Sequence, residues 1–268
     1  MHELTLAGES RVAVAGDWHG NSRWVRTLLP ALHRAAPDVR TILHLGDFGF
    51  WRSPHGKGFT DTVDYWCKTA GIERVLVTPG NHEMWPMLEE RFAEQPGEAI
   101  QVSKTVWALP RGFRFTLAGT SFMSFGGAAS IDYADRRQGI DWWTEELPTD
   151  EHVDAAIEGG PVDVMLTHET IDGGTPLVEQ IIRENPLGWA EDELAYSALS
   201  RARITRLWEH LHPQILAHGH MHVSDAVALP DGRRIYSLGC DGQERNVGIL
   251  HLDNLRWTWP RDPSTSQS

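Results

Sequence analysis

The sequence predicts an α/β fold built on a parallel sheet. In the first third of the chain, short apolar runs alternate with segments of helical spacing, the pattern of βαβ units. Each of those runs also ends in Gly-Asp or runs into Pro-Gly, so polar residues gather at the carboxyl ends of the strands, where open α/β sheets bind ligands.

The first run, 11–15 (RVAVA), ends in Gly16-Asp17. Helical spacing through Trp24, Val25, Leu28, Leu29 and Leu32 predicts a helix over 22–35. The run 40–45 (RTILHL) ends in Gly46-Asp47, a helix is expected over 59–70, and 74–77 runs into Pro79-Gly80. The stretch 99–126 reads as several short strands (AIQV, TVWAL, FRFTLA and TSFMSF). Residues 125–148 have no clear period. A connection of that length in a compact domain is usually functional or disordered, and its Tyr and Trp content argues for order. A short helix is expected over 149–158 and a strand over 162–166, ending at Thr167-His168. Gly and Pro suggest a lid or surface loop over 171–190. Leu194, Leu199, Ile204, Leu207, Trp208 and Leu211 recur near the helical period and predict an amphipathic helix over 191–211. The strand 214–217 ends in His-Gly-His-Met-His, and 226–259 reads as strands around an Asp231-Gly232 turn. These elements are expected to form a single domain over 1–260, followed by a flexible tail at 261–268.

Composition narrows the function. The 268 residues carry a formal net charge of −13, which does not suit gripping nucleic-acid backbones in bulk. Phosphate substrates stay open where bound cations reverse the sign locally. No apolar stretch approaches a membrane span, and the amino terminus lacks a basic region followed by an apolar run. Two cysteines, Cys67 and Cys240, make neither a disulfide framework nor a four-cysteine zinc site. Both are expected to be buried thiols of a cytoplasmic protein.

Five blocks at strand ends carry candidate metal ligands: Asp17-x-His19, Gly46-Asp47, Gly80-Asn81-His82-Glu83, His168, and Gly219-His220-x-His222. Each block alone is weak, since a strand-end Asp is usually a cap or turn residue and a lone His is usually satisfied locally. Together they fall in order at strand ends. In this combination the sequence resembles the calcineurin-like metallophosphoesterases, whose pattern is D-x-H, G-D, G-N-H-[ED], H and G-H-x-H.

The resemblance implies a four-layer α/β/β/α sandwich and hydrolysis of a phosphomonoester or phosphodiester at a two-metal centre, by attack of a metal-activated water. It implies that Asp47 bridges the two ions, that Asp17, His19 and His222 complete one site, and that Asn81, His168 and His220 complete the other. It also implies that His82 faces the substrate, stabilises developing charge and protonates the leaving oxygen. The ions expected from the family are manganese or iron, and mixed N/O donors also admit zinc. The partner implied is a nucleotide or other small phosphate ester, with no membrane. Nucleic-acid ends stay open, as does oligomeric state. The alternative is a non-catalytic metal-binding scaffold of the same fold that binds a partner protein.

The Ser/Thr protein phosphatase branch continues its second block as G-D-x-V-D-R-G, whereas this chain reads Gly46-Asp47-Phe48-Gly49-Phe50-Trp51-Arg52. The departure favours a small-molecule enzyme, and the segment 125–148 looks like an insert of bacterial and phage members. Candidate phosphate anchors are Arg52, His55, Arg136 and Arg137. Trp142 and Trp143 are expected to pin the long loop. Glu83 and Glu169 are candidates to orient ligand imidazoles or to act as salt-bridge or cap residues. His44 and His218 are expected to stand behind the ligands, and Asp241 is a neighbour of the site without an assigned role.

Overall fold

The structure is a computed structural model that describes residues 1–51 and 55–260. Its core is two seven-stranded mixed sheets. One sheet contains β2 (Arg11–Ala15), β3 (Thr41–His44) and β4 (Arg74–Val77), side by side and parallel. β13 (Val247–His251) lies antiparallel to β2 on the other side. Short strands complete its edges: β14 (Trp257–Thr258) beyond β13, and β6 (Val106–Ala108) then β5 (Ile100–Gln101) beyond β4. The second sheet carries β8 (Thr120–Phe125), β9 (Val164–Thr167), β10 (Ile215–His218) and β12 (Arg234–Ser237), all parallel neighbours. Beyond β8 lie β7 (Phe113–Leu117) and β1 (His2–Glu3). A hairpin joins β12 to β11 (Asp225–Ala228), through the expected Asp231-Gly232 turn.

Strand alternation assigns the layers. Val12, Val14, Leu43, Leu45 and Leu76 point between the sheets and meet Phe115, Phe122, Val164, Leu166 and Ile215. Ala13, Ala15, Ile42, Val75 and Val77 point outward and are covered by α1 (Ser22–Ala35) and α2 (His55–Ala70). On the far side, Met123, Met165, Leu216 and Ile235 are covered by α4 (Asp150–Glu158) and α6 (Glu191–Leu211). The order is helix, sheet, sheet, helix, as expected. Full burial of each Val, Leu or Phe contributes about 1.5–3 kcal/mol, so both faces of both sheets are fixed and the register cannot slip.

Two helices were not anticipated. The first, α3 (Trp85–Glu94), follows the third ligand block, with proline in its opening turn. The second, α5 (Pro176–Glu184), lies inside the stretch read as a lid or loop. Pro176 looked like a breaker, but proline fits the first helical position because that N–H has no helical partner. The segment 125–148 is irregular apart from two single 3₁₀ turns. Trp142 and Trp143 do pin it. Trp143 is buried, and Trp142 stands against Tyr133 and Tyr196. Cys67 is buried and its thiol is pushed up to about 12 by that burial. Cys240, expected to be buried, is half-buried. No described helix is long and apolar enough to cross a membrane.

Candidate metal centre

Parallel pairing within each sheet, and packing of one sheet on the other, bring the ends of β2, β3, β4, β9 and β10 together. The turns that follow are strained. His19, Asp47, His220 and His222 all have positive φ, at 46°, 49°, 65° and 52°. A left-handed conformation costs a non-glycine residue about 1–2 kcal/mol, and such strain clusters at functional sites. Glycines make the turns tight. A Cβ on Gly80 would overlap Asp47 Oδ1 and the Asp47 backbone nitrogen, and one on Gly219 would overlap Asp17 Oδ1.

Asp47 sits between two groups of donors. Its Oδ2 lies 3.5 Å from His19 Nε2, and its Oδ1 lies 3.3 Å from His168 Nε2. On the first side, Asp17, His19, Asp47 and His222 bring one ligand atom each within 4.8 Å of the others, with His222 Nε2 3.2 Å from Asp17 Oδ2. On the second side, His168 Nε2 is 2.9 Å from Asn81 Oδ1, and the His168 and His220 rings are 5.0 Å apart. The structure therefore places all seven residues expected to hold metal around Asp47, and Asp17, His19, Asp47 and His222 form a candidate metal-holding group.

The donor chemistry fits cations at both positions. His168 can donate Nδ1–H to Leu45 O at 2.6 Å, which leaves Nε2 as a lone pair facing two oxygen acceptors. Such an arrangement needs a cation or a shared proton. Asn81 donates its amide nitrogen to Ser130 Oγ at 2.9 Å, turning its oxygen inward. Buried Glu169 leaves Oε2 without a hydrogen bond, 4.0 Å from His220 Nε2, within ion-pair but beyond hydrogen-bond distance. With protons alone on the ligands, burial opposes charging His168, but Asp47 and Asp17 outweigh it and raise the imidazole to about 10. The same contest, again opposed by burial, raises His19 to about 9 through Asp47, Asp17 and Asp241. Burial alone would raise Asp47, yet His168 and His82 hold its carboxyl well below the usual range. The site thus stabilises positive charge beside its carboxylates.

Several outer residues differ from expectation. Among the described residues Glu83 pairs with no imidazole. It accepts backbone N–H groups from Asp47 at 3.1 Å and Gly49 at 3.0 Å, and also from Gly80, locking two ligand turns together. Asp241 accepts from His19 Nδ1 at 2.7 Å and from Asn21 at 2.6 Å, so it fixes the ring that presents Nε2 inward. Glu146 was not singled out at all. It accepts from Ser130 N at 2.6 Å and Ser130 Oγ at 2.8 Å, and so stands behind the serine that orients Asn81. No regular period marks it, because its partners Ser130 and Trp142 lie in the same irregular segment and Tyr196 lies on α6. His44 and His218 are buried behind the ligands. His44 Nδ1 accepts from Gly46 N, and His218 Nε2 contacts Thr170 Oγ1 at 3.2 Å.

His82 lines the cavity beside Asp47, Asn81, His220 and His222. Arg136 reaches it, with guanidinium nitrogens 3.0 and 3.2 Å from the two ring nitrogens. Asp132 grips the same guanidinium at 2.6 and 2.7 Å. Arg137 is exposed, and its backbone N–H is tied to Asp141. The structure does not bring it to the cavity. Arg52 and the side chain of His55 lie outside the described residues.

Residues 10–224 match the calcineurin-like phosphoesterase pattern. The chain belongs to that family. Solved structures share its fold at low identity. A Thermus thermophilus protein aligns with 93% of this chain and 97% of its own, at 10% identity and a TM-score of 0.54. A dimetal phosphatase from Danio rerio aligns over 91% and 92%, at 11% identity and 0.55. A phosphopantetheinyl hydrolase from Mycobacterium tuberculosis aligns over 97% and 99%, at 15% identity and 0.50. No curated protein sequence matches. The family binds a dinuclear metal centre, and its membership together with the donor cluster supports a metal-binding hydrolase.

Proposed function

We propose that this calcineurin-like phosphoesterase hydrolyses a small phosphate ester at two metal ions, manganese or iron, held by Asp17, His19, Asp47 and His222 on one side and by Asp47, Asn81, His168 and His220 on the other. The observation that carries the reading is the position of Asp47, whose two oxygens each face a different donor group. When bound, the two ions supply concentrated positive charge that polarises phosphoryl oxygens and acidifies water.

The rest of the chemistry belongs to the chain. Arg136, aimed by Asp132, binds phosphoryl oxygens of the substrate. His82 faces the cavity with a quarter of its side chain exposed, Nε2 3.7 Å from Asp47 Oδ2. Burial holds its pKa below 6.5; Asp47 opposes this, and Arg136 and neighbouring imidazoles add to it. A phosphate dianion beside the ring would raise it again, so His82 can take up a proton and return it to the leaving oxygen.

The test is hydrolysis of paired aryl phosphate monoesters and diesters by metal-stripped protein reloaded with manganese, with His82→Ala as control. Turnover that requires both metal and His82 is expected. No turnover of either ester with two ions bound per chain would refute the phosphoesterase reading and favour the non-catalytic scaffold.

A further inference from the structure

The cavity that contains the candidate catalytic residues extends away from the metal ligands. Its lining joins Asp47, Asn81, His82, His220 and His222 to an apolar group of Ile131, Ile181, Ile182, Leu187, Trp189 and Leu194, most of it from α5, α6 and the turn between them. Its volume is about 330 Å³, at the small end for organic-ligand sites. Leu187 is 76% exposed, so core packing does not account for a leucine at this mouth.

The wall is built, not incidental. Asn185 closes α5 in a left-handed conformation. Its side chain then staples the following turn, donating to Trp189 O at 3.0 Å and accepting from Trp189 N at 2.9 Å. Tyr133 donates to Asp192 at 2.9 Å and packs against Tyr196, 5.1 Å between centroids. These contacts tie the 131–136 wall, which carries Arg136, to the α6 wall.

Charge in this extension is already matched. Among the described lining residues the cations are Arg136, already assigned to the one phosphate, and Arg201, which donates to Asp172 at 3.0 Å and Ser197 at 2.7 Å. A second phosphate or a carboxylate lodged there would find no unpaired cation among these residues, in a chain of net charge −13 that repels anions at long range.

We infer that the substrate is a phosphoester carrying a single phosphate on an apolar organic group, the phosphate lying at Arg136 and the metal ligands and the apolar group lying between Ile181, Ile182, Leu187 and Leu194. This rests on the phosphoesterase reading above. It disfavours nucleoside polyphosphates, whose further charges would lie on an apolar wall.

The probe is a series of non-hydrolysable n-alkyl phosphonates, methyl to hexyl, with binding to the manganese-loaded protein measured by calorimetry. A buried methylene contributes about 0.8 kcal/mol, or about fourfold in affinity. With the chain partly buried, hexylphosphonate is expected to bind at least about 30-fold more tightly than methylphosphonate. Leu187→Asp, at an exposed position, and Ile181→Asn should flatten the gradient, bringing the hexyl-to-methyl affinity ratio toward one. A flat series in the wild type, no binding by any member, or a gradient that survives both substitutions overturns the inference. An intact gradient without hydrolysis of hexyl phosphate would refute the phosphoesterase reading alone. Hydrolysis with a flat series would refute the substrate assignment alone.

Discussion

Glu146→Gln tests whether the buried carboxyl behind Ser130 and Asn81 behaves as its surroundings require. The Glu146 side chain is wholly buried. Besides Ser130, it accepts from Trp142 Nε1 and Tyr196 Oη, both at 3.1 Å. Burial outweighs these donors and raises the carboxyl to about 7 from 4.5. Between those values the folded protein holds a proton that the unfolded chain has released. Stability from this group is therefore full below pH 4.5 and is lost as pH rises through 7. The shift corresponds to about 3 kcal/mol in all, of which about 2.5 kcal/mol falls between pH 5 and 8. Glutamine reproduces the neutral form: Oε1 keeps its three donors, and Nε2 donates to Ser130 Oγ, whose hydroxyl donates to the charged carboxylate and must turn to accept from the neutral acid or the amide. The variant should match wild type at pH 5 and exceed it by about 2.5 kcal/mol at pH 8, or roughly 5–10 °C in Tm for a chain of this size. Thermal unfolding of both metal-free proteins from pH 5 to 8 measures the difference. Parallel curves would refute the reasoning, because they would mean that Glu146 titrates alike in the folded and unfolded chains.

Three further outcomes follow from the same geometry. Arg111 lies over Trp85 at 3.7 Å and donates to Gly126 O at 3.0 Å, Glu145 O at 2.6 Å and Glu146 O at 3.0 Å, so Arg111→Ala should cost about 2–4 kcal/mol. It should also open the 125–148 segment to limited proteolysis; unchanged cleavage there would show that Arg111 does not hold the loop. Asp241→Ala frees the His19 ring and should weaken metal binding about 10–100-fold, read by competition with a chelating dye. Gly219→Ala forces a Cβ onto Asp17 Oδ1 and close to His168 and should reduce the metal bound per chain, resolved by stoichiometry; an unchanged ion count would refute the close approach.

The candidate cluster was legible in the sequence because each strand places its polar residues within a few positions of its own end. Apolar runs marked the strands, and short blocks such as Gly80-Asn81-His82-Glu83 marked the turns. Supporting contacts were not legible in the same way. Asp241 lies 222 positions from His19, and Tyr196 lies 50 from Glu146, so only the folded sheets bring them together. Glu83 misled because it lies two residues from Asn81 in sequence, yet its carboxylate gathers backbone N–H groups. The helix α5 was hidden by composition, since Gly173, Gly174 and Pro176 signal a loop unless the proline is read as a first helical residue. The apolar wall was missed with it, since Ile181, Ile182 and Leu187 look like scattered surface residues until α5 and α6 set them opposite Arg136.

The central claim is that Asp47 serves both donor groups while His82 serves neither. Equilibrium titration of the metal-stripped protein with manganese, followed by direct metal counting, tests it. Two ions per chain are expected for wild type and for His82→Ala, and no tightly held ion for Asp47→Asn. Two ions retained by Asp47→Asn, or ions lost from His82→Ala, would contradict the account.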